Sequence, residues 1–571
     1  MTRIAVSLIL AAGCGADNRP LTLQSTTTAR ACQATAVQID GPIDGRSLRA
    51  TLTGWPGLYA TVEGDTVRFE TPALARETSL TLTLLEGDSA LDTQRLQLAA
   101  GDTVDTWAPG TVAGCAPFYE GVGSAESTAS SVLLWTRLQG GGALTWQVAT
   151  TPSFEDVVQT GETNASADAD YTVTVEATGL PASTTLYYRF LASDGASSPI
   201  GRTRTAPTGV VDQLAFAVAS CSSLYSGYFN AYRHIASRDV LDGVIHLGDY
   251  LYDYVDAEER VRVPNPEPST PQTLDGWRDL HRNYLSDPDF RAARQQHPWL
   301  VIWDNHDLEL GGGEALTSAI QAFHEYVPIR LNDTSAPDRI YRRAVFGEML
   351  DLILLDTTLH RDGPPGDATQ MLGAQQEAWL DEVVDGSTAA WRLFGSQKLM
   401  GEVKINPSFG PFLGGEREVF DPNAWDGFPA SRERFFQRLA DAGYKDNVVV
   451  SGDSHITAVM DLVRTMSGYD ATTGDGSVGV EILPTSISRG NFDETLGQGS
   501  EDIIEGLRGD TLTRNPHHVH LDLVQHGYGH LVFTPEEMRA AVHYVPILEP
   551  SEDSTAGPTY VLPRGVGHWA R

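Results

Sequence analysis

Seven side chains able to bind a metal or move a proton stand just past four apolar runs. Cys221 follows the run 214–219, and Asp249 and Tyr252 follow the one ending at Leu247. Asn305 and His306 follow the run ending at Trp303, and Asp453 and His455 follow the one ending at Val450. In an open α/β sheet, ligands bind beyond the carboxyl ends of the strands, so these are the positions to read first. Thiol, carboxylate, phenol, amide and imidazole are all metal-ligand chemistries. Taken singly, each has a plainer reading: an inert buried thiol, a Gly-Asp turn or helix cap, a core tyrosine, a hydrogen-bonded histidine. Their recurrence at four strand ends makes a shared site the better account.

The elements that must position them begin near Leu214. From there apolar strand-like runs (214–219, 243–247, 300–303, 350–355, 393–395 and 448–450) alternate with helical stretches such as 228–237. This alternation predicts an α/β domain over 209–546, with β character returning at 515–545. Residues 547–571 are polar and carry Pro and Gly, and read as a tail or lid. Before the α/β domain, 32–115 and 116–208 show short alternating stretches separated by turn residues. Each predicts a β-sandwich module of immunoglobulin or fibronectin type.

The chain has 571 residues, 41% of them hydrophobic and 20% charged, which is globular composition. Forty Lys+Arg against 75 Asp+Glu leave a net charge of −35. With no basic run, a nucleic-acid binder or an electrostatic membrane-surface binder is excluded as the expectation. An anionic substrate would need a local cation, which a bound metal supplies. P-loop, Gly-x-Ser-x-Gly and His-Glu-x-x-His signatures are all missing. The histidines between His517 and His530 therefore read as solvated or structural.

Residues 1–14 resemble a bacterial lipoprotein signal, with Arg3, a short apolar stretch, and Ala11-Ala-Gly13 before Cys14. They predict an exported protein anchored by lipid at Cys14 on the periplasmic or cell-surface side; a plain secretory signal is the alternative. Residues 15–31 read as a tether. In an oxidising compartment Cys32 and Cys115 would close the first β-module, a loop worth about 4–5 kcal/mol in the chain-entropy model. Cys221 is then left as the odd thiol.

Several longer stretches resemble one family. They include Ala219-Ser-Cys-Ser-Ser223, His246-Leu-Gly-Asp-Tyr-Leu-Tyr252, Tyr284-Leu-Ser-Asp-Pro288 and Trp303-Asp-Asn-His-Asp307. Leu372-Gly-Ala-Gln-Gln376, Trp425-Asp-Gly-Phe428, Ser451-Gly-Asp-Ser-His455 and Gly527-Tyr-Gly529 continue the series, and Pro117-Phe-Tyr-Glu120 and Leu134-Trp-Thr-Arg137 precede it. In this order they resemble the PhoD-type alkaline phosphatase/phosphodiesterase family over residues 117–545. That family is similar to the purple acid phosphatases among the metallophosphoesterases.

The resemblance implies an α/β/β/α four-layer catalytic domain holding two metals. Fe3+ would sit on Cys221, Asp249, Tyr252 and His455, with Asp249 bridging to a second ion on Asn305 and Asp453. Calcium is the family's second ion, with zinc, manganese or magnesium as alternatives. Thiolate and phenolate suit iron(III), whereas carboxylate and amide oxygens suit a hard divalent ion. Asn305 replaces the family's usual Asp, and Asp356-Thr-Thr358 replaces its Asp-Thr-Arg. His517, in Asn515-Pro-His517, resembles a family motif, which would bring it toward the site.

The expected activity is hydrolysis of small phosphate esters by a metal-activated hydroxide, with His306 stabilising the transition state and protonating the leaving alkoxide. A phospholipase D-type phosphodiesterase is the alternative within the same chemistry. A surface adhesion protein with a vestigial enzyme domain is the alternative of another class. An intact set of six ligands argues against that one.

Overall fold

The computed structural model describes residues 20–570, apart from 25–27, 31–33, 44–45, 54–59, 71–77, 87–88, 100–116, 194, 257–258, 264–267, 332, 367–368 and 410–417. The expected signal, the Cys14 anchor and the Cys32–Cys115 bridge involve residues outside this set. Among the described residues no helix is long and apolar enough to cross a membrane.

The chain forms a multidomain α/β fold. Two large mixed sheets carry the centre of the molecule. One runs Thr172–Thr178, Ser131–Arg137, Val122–Ala125, Pro298–Val301, Gly243–His246, Leu214–Ala219, His526–Phe533, Glu537–Val545, Thr555–Pro563. The other runs Arg342–Phe346, Leu350–Leu354, Trp391–Ser396, Asn447–Ser451, Ser477–Pro484, Thr457–Val463, His518–Asp522. The sequence alternation is explained by their parallel central strands: Leu214–Ala219, Gly243–His246 and Pro298–Val301 in the first, and Leu350–Leu354 through Ser477–Pro484 in the second. These strands are buried at every position, as strands covered on both faces must be.

The two sheets share one core. Phe216 of the first meets Phe346 of the second edge-on at 5.0 Å, and Trp391 meets Phe533 at 5.9 Å. The other face of the second sheet, through Ile353, Phe394 and Val449, packs against Leu380, Phe435 and Leu439 of helices Gly373–Asp385 and Pro429–Ala442. Helices Asn230–Ala236 and Pro288–Gln296 place Tyr232 and Phe290 against Trp299 of the first sheet at 5.6 and 5.9 Å.

The strands described between Thr22 and Ala99 form two four-stranded sheets around Val37, Val67, Phe69, Leu82, Leu84 and Leu96. The stretch 117–207, expected as a β-sandwich module, contributes strands to two sheets. Gly142–Ala149 and its neighbours make a separate four-stranded sheet, but Val122–Ala125 pairs in parallel with Pro298–Val301, Ser124 opposite Pro298 and Ala125 opposite Trp299. An open catalytic-sheet edge is thereby covered, and the boundary expected at 208/209 is crossed by backbone hydrogen bonds. A buried ion pair seals the seam: the Arg342 guanidinium lies 3.0 Å from Glu126 and donates to the Val301 carbonyl at 2.9 Å.

The expected tail or lid at 547–571 is also corrected. Thr555–Pro563 pairs antiparallel with Glu537–Val545 as the last strand of the first sheet. Trp569 behind it is fully buried, its indole N–H donating to Met460 O at 3.0 Å. Alternation in Tyr560-Val-Leu562 was the available signal; the surrounding Pro and Gly residues obscured it.

Three of the buried histidines belong to the first sheet and the helices against it. His246 ends a central strand, stacks on Trp299 at 5.9 Å and touches Ser222 Oγ and Tyr232 Oη through Nε2. Burial lowers His246, His281 and His297 each from 6.5 to about 3. The unfolded chain takes up these protons below about pH 6.5 while the native chain refuses them, so stability falls as pH drops from 6.5 toward 3. Urea unfolding at pH 7 and pH 5 should show a loss of about 2 kcal/mol per histidine at the lower pH. A pH-independent midpoint over this interval is the contrary result.

Candidate metal centre

Five strand ends, from both sheets, meet at one point. After Leu214–Ala219 the chain turns at Cys221 with φ 58°, and after Gly243–His246 it turns at Asp249 with φ 49°. After Asn447–Ser451 it turns twice, at Asp453 (φ 66°) and His455 (φ 57°). Left-handed backbone at non-glycine residues is sparsely populated and persists where the surroundings over-determine it. Here the loops hold one another: Cys221 N–H donates to Gly248 O at 3.2 Å, Ser222 N–H to Asp249 O at 2.9 Å, and Arg489 N–H to Cys221 O at 3.2 Å. Gly248, at φ 95°, permits the closest approach; a Cβ there would lie 2.5 Å from Asp304 Cβ and 2.8 Å from Asp304 N.

Cys221, Asp249, Tyr252 and His455 form one cluster. Ligand atoms of Cys221, Asp249 and His455 lie within 4.8 Å of one another. The Tyr252 hydroxyl donates to Asp249 Oδ2 at 2.9 Å and stands 3.2 Å from His455 Nε2. His455 Nδ1 faces the Gly490 carbonyl at 3.0 Å, and a carbonyl only accepts, so Nδ1 carries the proton and Nε2 turns a lone pair on the cluster. Burial keeps that imidazole neutral, lowering its pKa to about 3. Burial and then the Asp249 charge push the Cys221 thiol and the Tyr252 phenol well above their ordinary values. A sulfur, a phenol, a carboxylate and a neutral imidazole, all turned inward, are a donor set able to hold a transition-metal ion.

The second group of predicted residues also converges, but on a side chain. Asp249, Asp304 and Asp453 bring carboxylate oxygens within 4.8 Å of one another. Among them stands the ammonium of Lys398, from the loop after Trp391–Ser396. Nζ lies 2.9 Å from Asn305 Oδ1, 2.5 Å from Asp453 Oδ1 and 2.9 Å from Asp304 Oδ2. Burial opposes this charge, but Asp304, Asp453 and Asp249 outweigh it and hold the lysine pKa above its usual value. Asp453 is lowered, Lys398 overcoming its burial, while burial pushes Asp304 up to about 7.

His306 lies at the edge of the centre, in the turn Asn305–Asp307. Its N–H donates to Asp249 Oδ1 at 3.3 Å, its ring leans over Tyr252 at 4.2 Å, and Nδ1 meets Asp253 Oδ1 at 2.9 Å. Burial disfavours its charge, but Asp249 and Asp253 outweigh that and raise its pKa. Arg489 stacks 5.3 Å from the Tyr252 ring and pairs with Asp256 and Glu259.

All seven predicted residues are thus brought to one place. Of the histidines read as solvated or structural, His517, His518 and His526 are buried; the first two face the Glu402 carbonyl, and His526 meets Glu494 at 3.3 Å. Lys398 and Asp304 are the two members of the centre that sequence reasoning missed. The apolar run 393–395 reads as a strand, and the strand-end rule extended to it finds Ser396-Gln-Lys398. Asp304 sits inside the Trp303-Asp-Asn-His-Asp307 motif, beside the two residues taken from it.

With this geometry in view, comparisons with known proteins agree. The sequence profile of the PhoD-like phosphatase family matches residues 216–309 and 314–542, and that of the PhoD-like phosphatase N-terminal domain matches residues 106–207. Alkaline phosphatase D of Bacillus subtilis (strain 168) is 31% identical over 482 residues, covering 76% of this chain and 78% of that protein. A solved structure of PhoD superposes with a TM-score of 0.70 at 29% identity, over 80% of this chain and 92% of the other.

Gly248→Ala tests how tightly the loops are locked. The methyl group would meet Asp304 and impose a left-handed alanine, costing about 2–4 kcal/mol. Chemical denaturation of the variant should show this loss, and a change below about 0.5 kcal/mol would mean that the Asp249 and Asp304 turns are not in contact.

Proposed function

Because the chain belongs to the PhoD-like phosphatase family, we propose that it is a metal-dependent phosphoric ester hydrolase acting at the Cys221–Asp249–Tyr252–His455 centre. The observation that carries this reading is the convergence of that donor set with His306. Strand ends of both sheets supply it, in a molecule whose overall charge would otherwise repel phosphate. In layer terms we read the catalytic part as helix/sheet/sheet/helix, and the two preceding β-regions as sandwich modules.

Iron(III) suits the four donors, and when bound it would polarise a phosphoryl oxygen and activate water for in-line attack. The second position of the sequence expectation, on Asp249, Asn305 and Asp453, does not fit a free divalent ion as arranged, because the Lys398 ammonium already lies among its oxygens. No step is therefore assigned to a second metal. Gly490 and Asp253 fix the rings of His455 and His306 through their Nδ1 atoms, leaving each Nε2 for chemistry. For His306, a proton held at Nε2 would pass to the departing ester oxygen, and the Asp253 carboxylate favours the charged ring that holds it. Lys398 sets a fixed positive charge beside the carboxylates of the centre, which favours an anionic phosphoryl group there. Export and lipid anchoring through Cys14 remain part of this proposal, supported by the composition of residues 1–14.

Hydrolysis of a chromogenic phosphomonoester and the matching diester by the purified chain tests the reading. Turnover of either supports it, and diester preference moves the assignment toward the phospholipase D-type alternative. Cys221→Ala should lose both bound iron and turnover. His306→Ala should keep the iron and lower kcat by about 10²–10⁴-fold. Full turnover in Cys221→Ala would sink the metal assignment.

A further inference from the structure

The position that the family resemblance gives to a second metal is built in this chain around a lysine. Lys398 is 4% exposed, so its side chain is committed to the interior. An ammonium has three N–H donors and no acceptor. Nζ donates to Asn305 Oδ1 and Asp453 Oδ1 and stands 2.9 Å from Asp304 Oδ2 as an ion pair, so two donors and the charge are committed to these oxygens. Those oxygens come from two loops, 304–305 after Pro298–Val301 and 453 after Asn447–Ser451, and the lysine from a third after Trp391–Ser396. The strands they follow lie in both sheets, so the arrangement is fixed by the fold rather than by one flexible segment.

A divalent ion on the same oxygens would need distances of about 2.0–2.6 Å to them. It would then fall almost on Nζ, and two cations cannot share that space. Nor can the lysine leave cheaply: withdrawing one partner from a buried ion pair leaves the other charge uncompensated in a poorly solvated place.

We propose that the Lys398 ammonium takes the place of the second metal ion, so that this centre holds a single metal, at Cys221–Asp249–Tyr252–His455, and works without calcium. This rests on the metal reading of that cluster. Lys398 then does structurally what a second cation does: it gathers Asn305, Asp304 and Asp453 and sets a positive charge beside Asp249. It contributes one charge instead of two, and it cannot be removed by a chelator.

Metal content of the full-length chain decides the matter. After purification with iron and calcium supplied, and dialysis into metal-free buffer, elemental analysis should give one iron per wild-type chain and no retained calcium. Excess EGTA should leave ester hydrolysis unchanged. Lys398→Met removes the ammonium at nearly constant volume, and should retain one calcium per chain in addition to iron. Calcium beside iron in the wild-type chain overturns the proposal while leaving the cluster's metal reading intact. So does an iron-loaded Lys398→Met chain that binds no calcium at millimolar concentration. Should that variant not fold, the wild-type calcium content decides alone. Wild-type protein without iron overturns both readings together.

Discussion

Negative charge gathered where the two sheets' strand ends meet is the constraint to which the rest of the molecule answers. Asp249, Asp304 and Asp453 bring oxygens within 4.8 Å of one another, and Cys221 and Tyr252 add two groups that burial and the Asp249 charge make reluctant to lose a proton. An uncompensated buried carboxylate costs several kcal/mol. The arrangement is tolerable because positive charge enters from fixed directions: Lys398 on one side, Arg489 over Tyr252 on another. Four left-handed turns, of the order of 1–3 kcal/mol each, are the backbone's share of the cost. They persist because each turn is hydrogen-bonded to, or wedged against, another.

The same logic explains why the 117–207 region is joined to the catalytic sheet instead of hanging from it. Pro298–Val301 delivers Asp304, Asn305 and His306, and a strand with one free edge would be a poor ruler for them. Val122–Ala125 occupies that edge, and Glu126, just beyond it, takes the Arg342 guanidinium that also caps the Val301 carbonyl. Arg294 lies 4.5 Å from the Trp135 ring and donates to the Tyr326 carbonyl, tying strand, helix and helix end together. The region is as much a wall of the active-site sheet as a module of its own.

Much of the centre was legible in the sequence because it obeys a rule of placement. Buried parallel strands read as unbroken apolar runs, and the residues just past each run lie at the carboxyl edge. Cys221, Asp249, Asn305, Asp453 and His455 could be picked out on that ground. The rule was silent on side-chain reach. Nothing in Gln397-Lys398-Leu399 announces that the lysine folds back between two loops, because direction depends on the neighbouring turns and not on local pattern. The last strand escaped for a different reason: Thr555–Pro563 is an edge strand, with one face exposed and Gly557 and Pro558 inside it, and edges lack the apolar continuity that marks the centre. Pairing across the 208/209 boundary is a tertiary fact, and composition changes at that point even though the hydrogen bonding does not.

The order of strands in the nine-stranded sheet sets a schedule for its assembly. Leu214–Ala219 lies between Gly243–His246, made soon after it, and His526–Phe533, made some three hundred residues later. A nascent chain therefore carries that strand with one side unpaired while the whole second sheet is synthesised. Closing the gap requires contacts of very long sequence separation, the kind that form slowly and leave sticky intermediates. Cys221 stands at the start of that interval and His455 well inside it. Until the late hairpin docks there is no finished binding place, and a thiol at the open strand's end waits exposed to whatever metal or oxidant reaches it first.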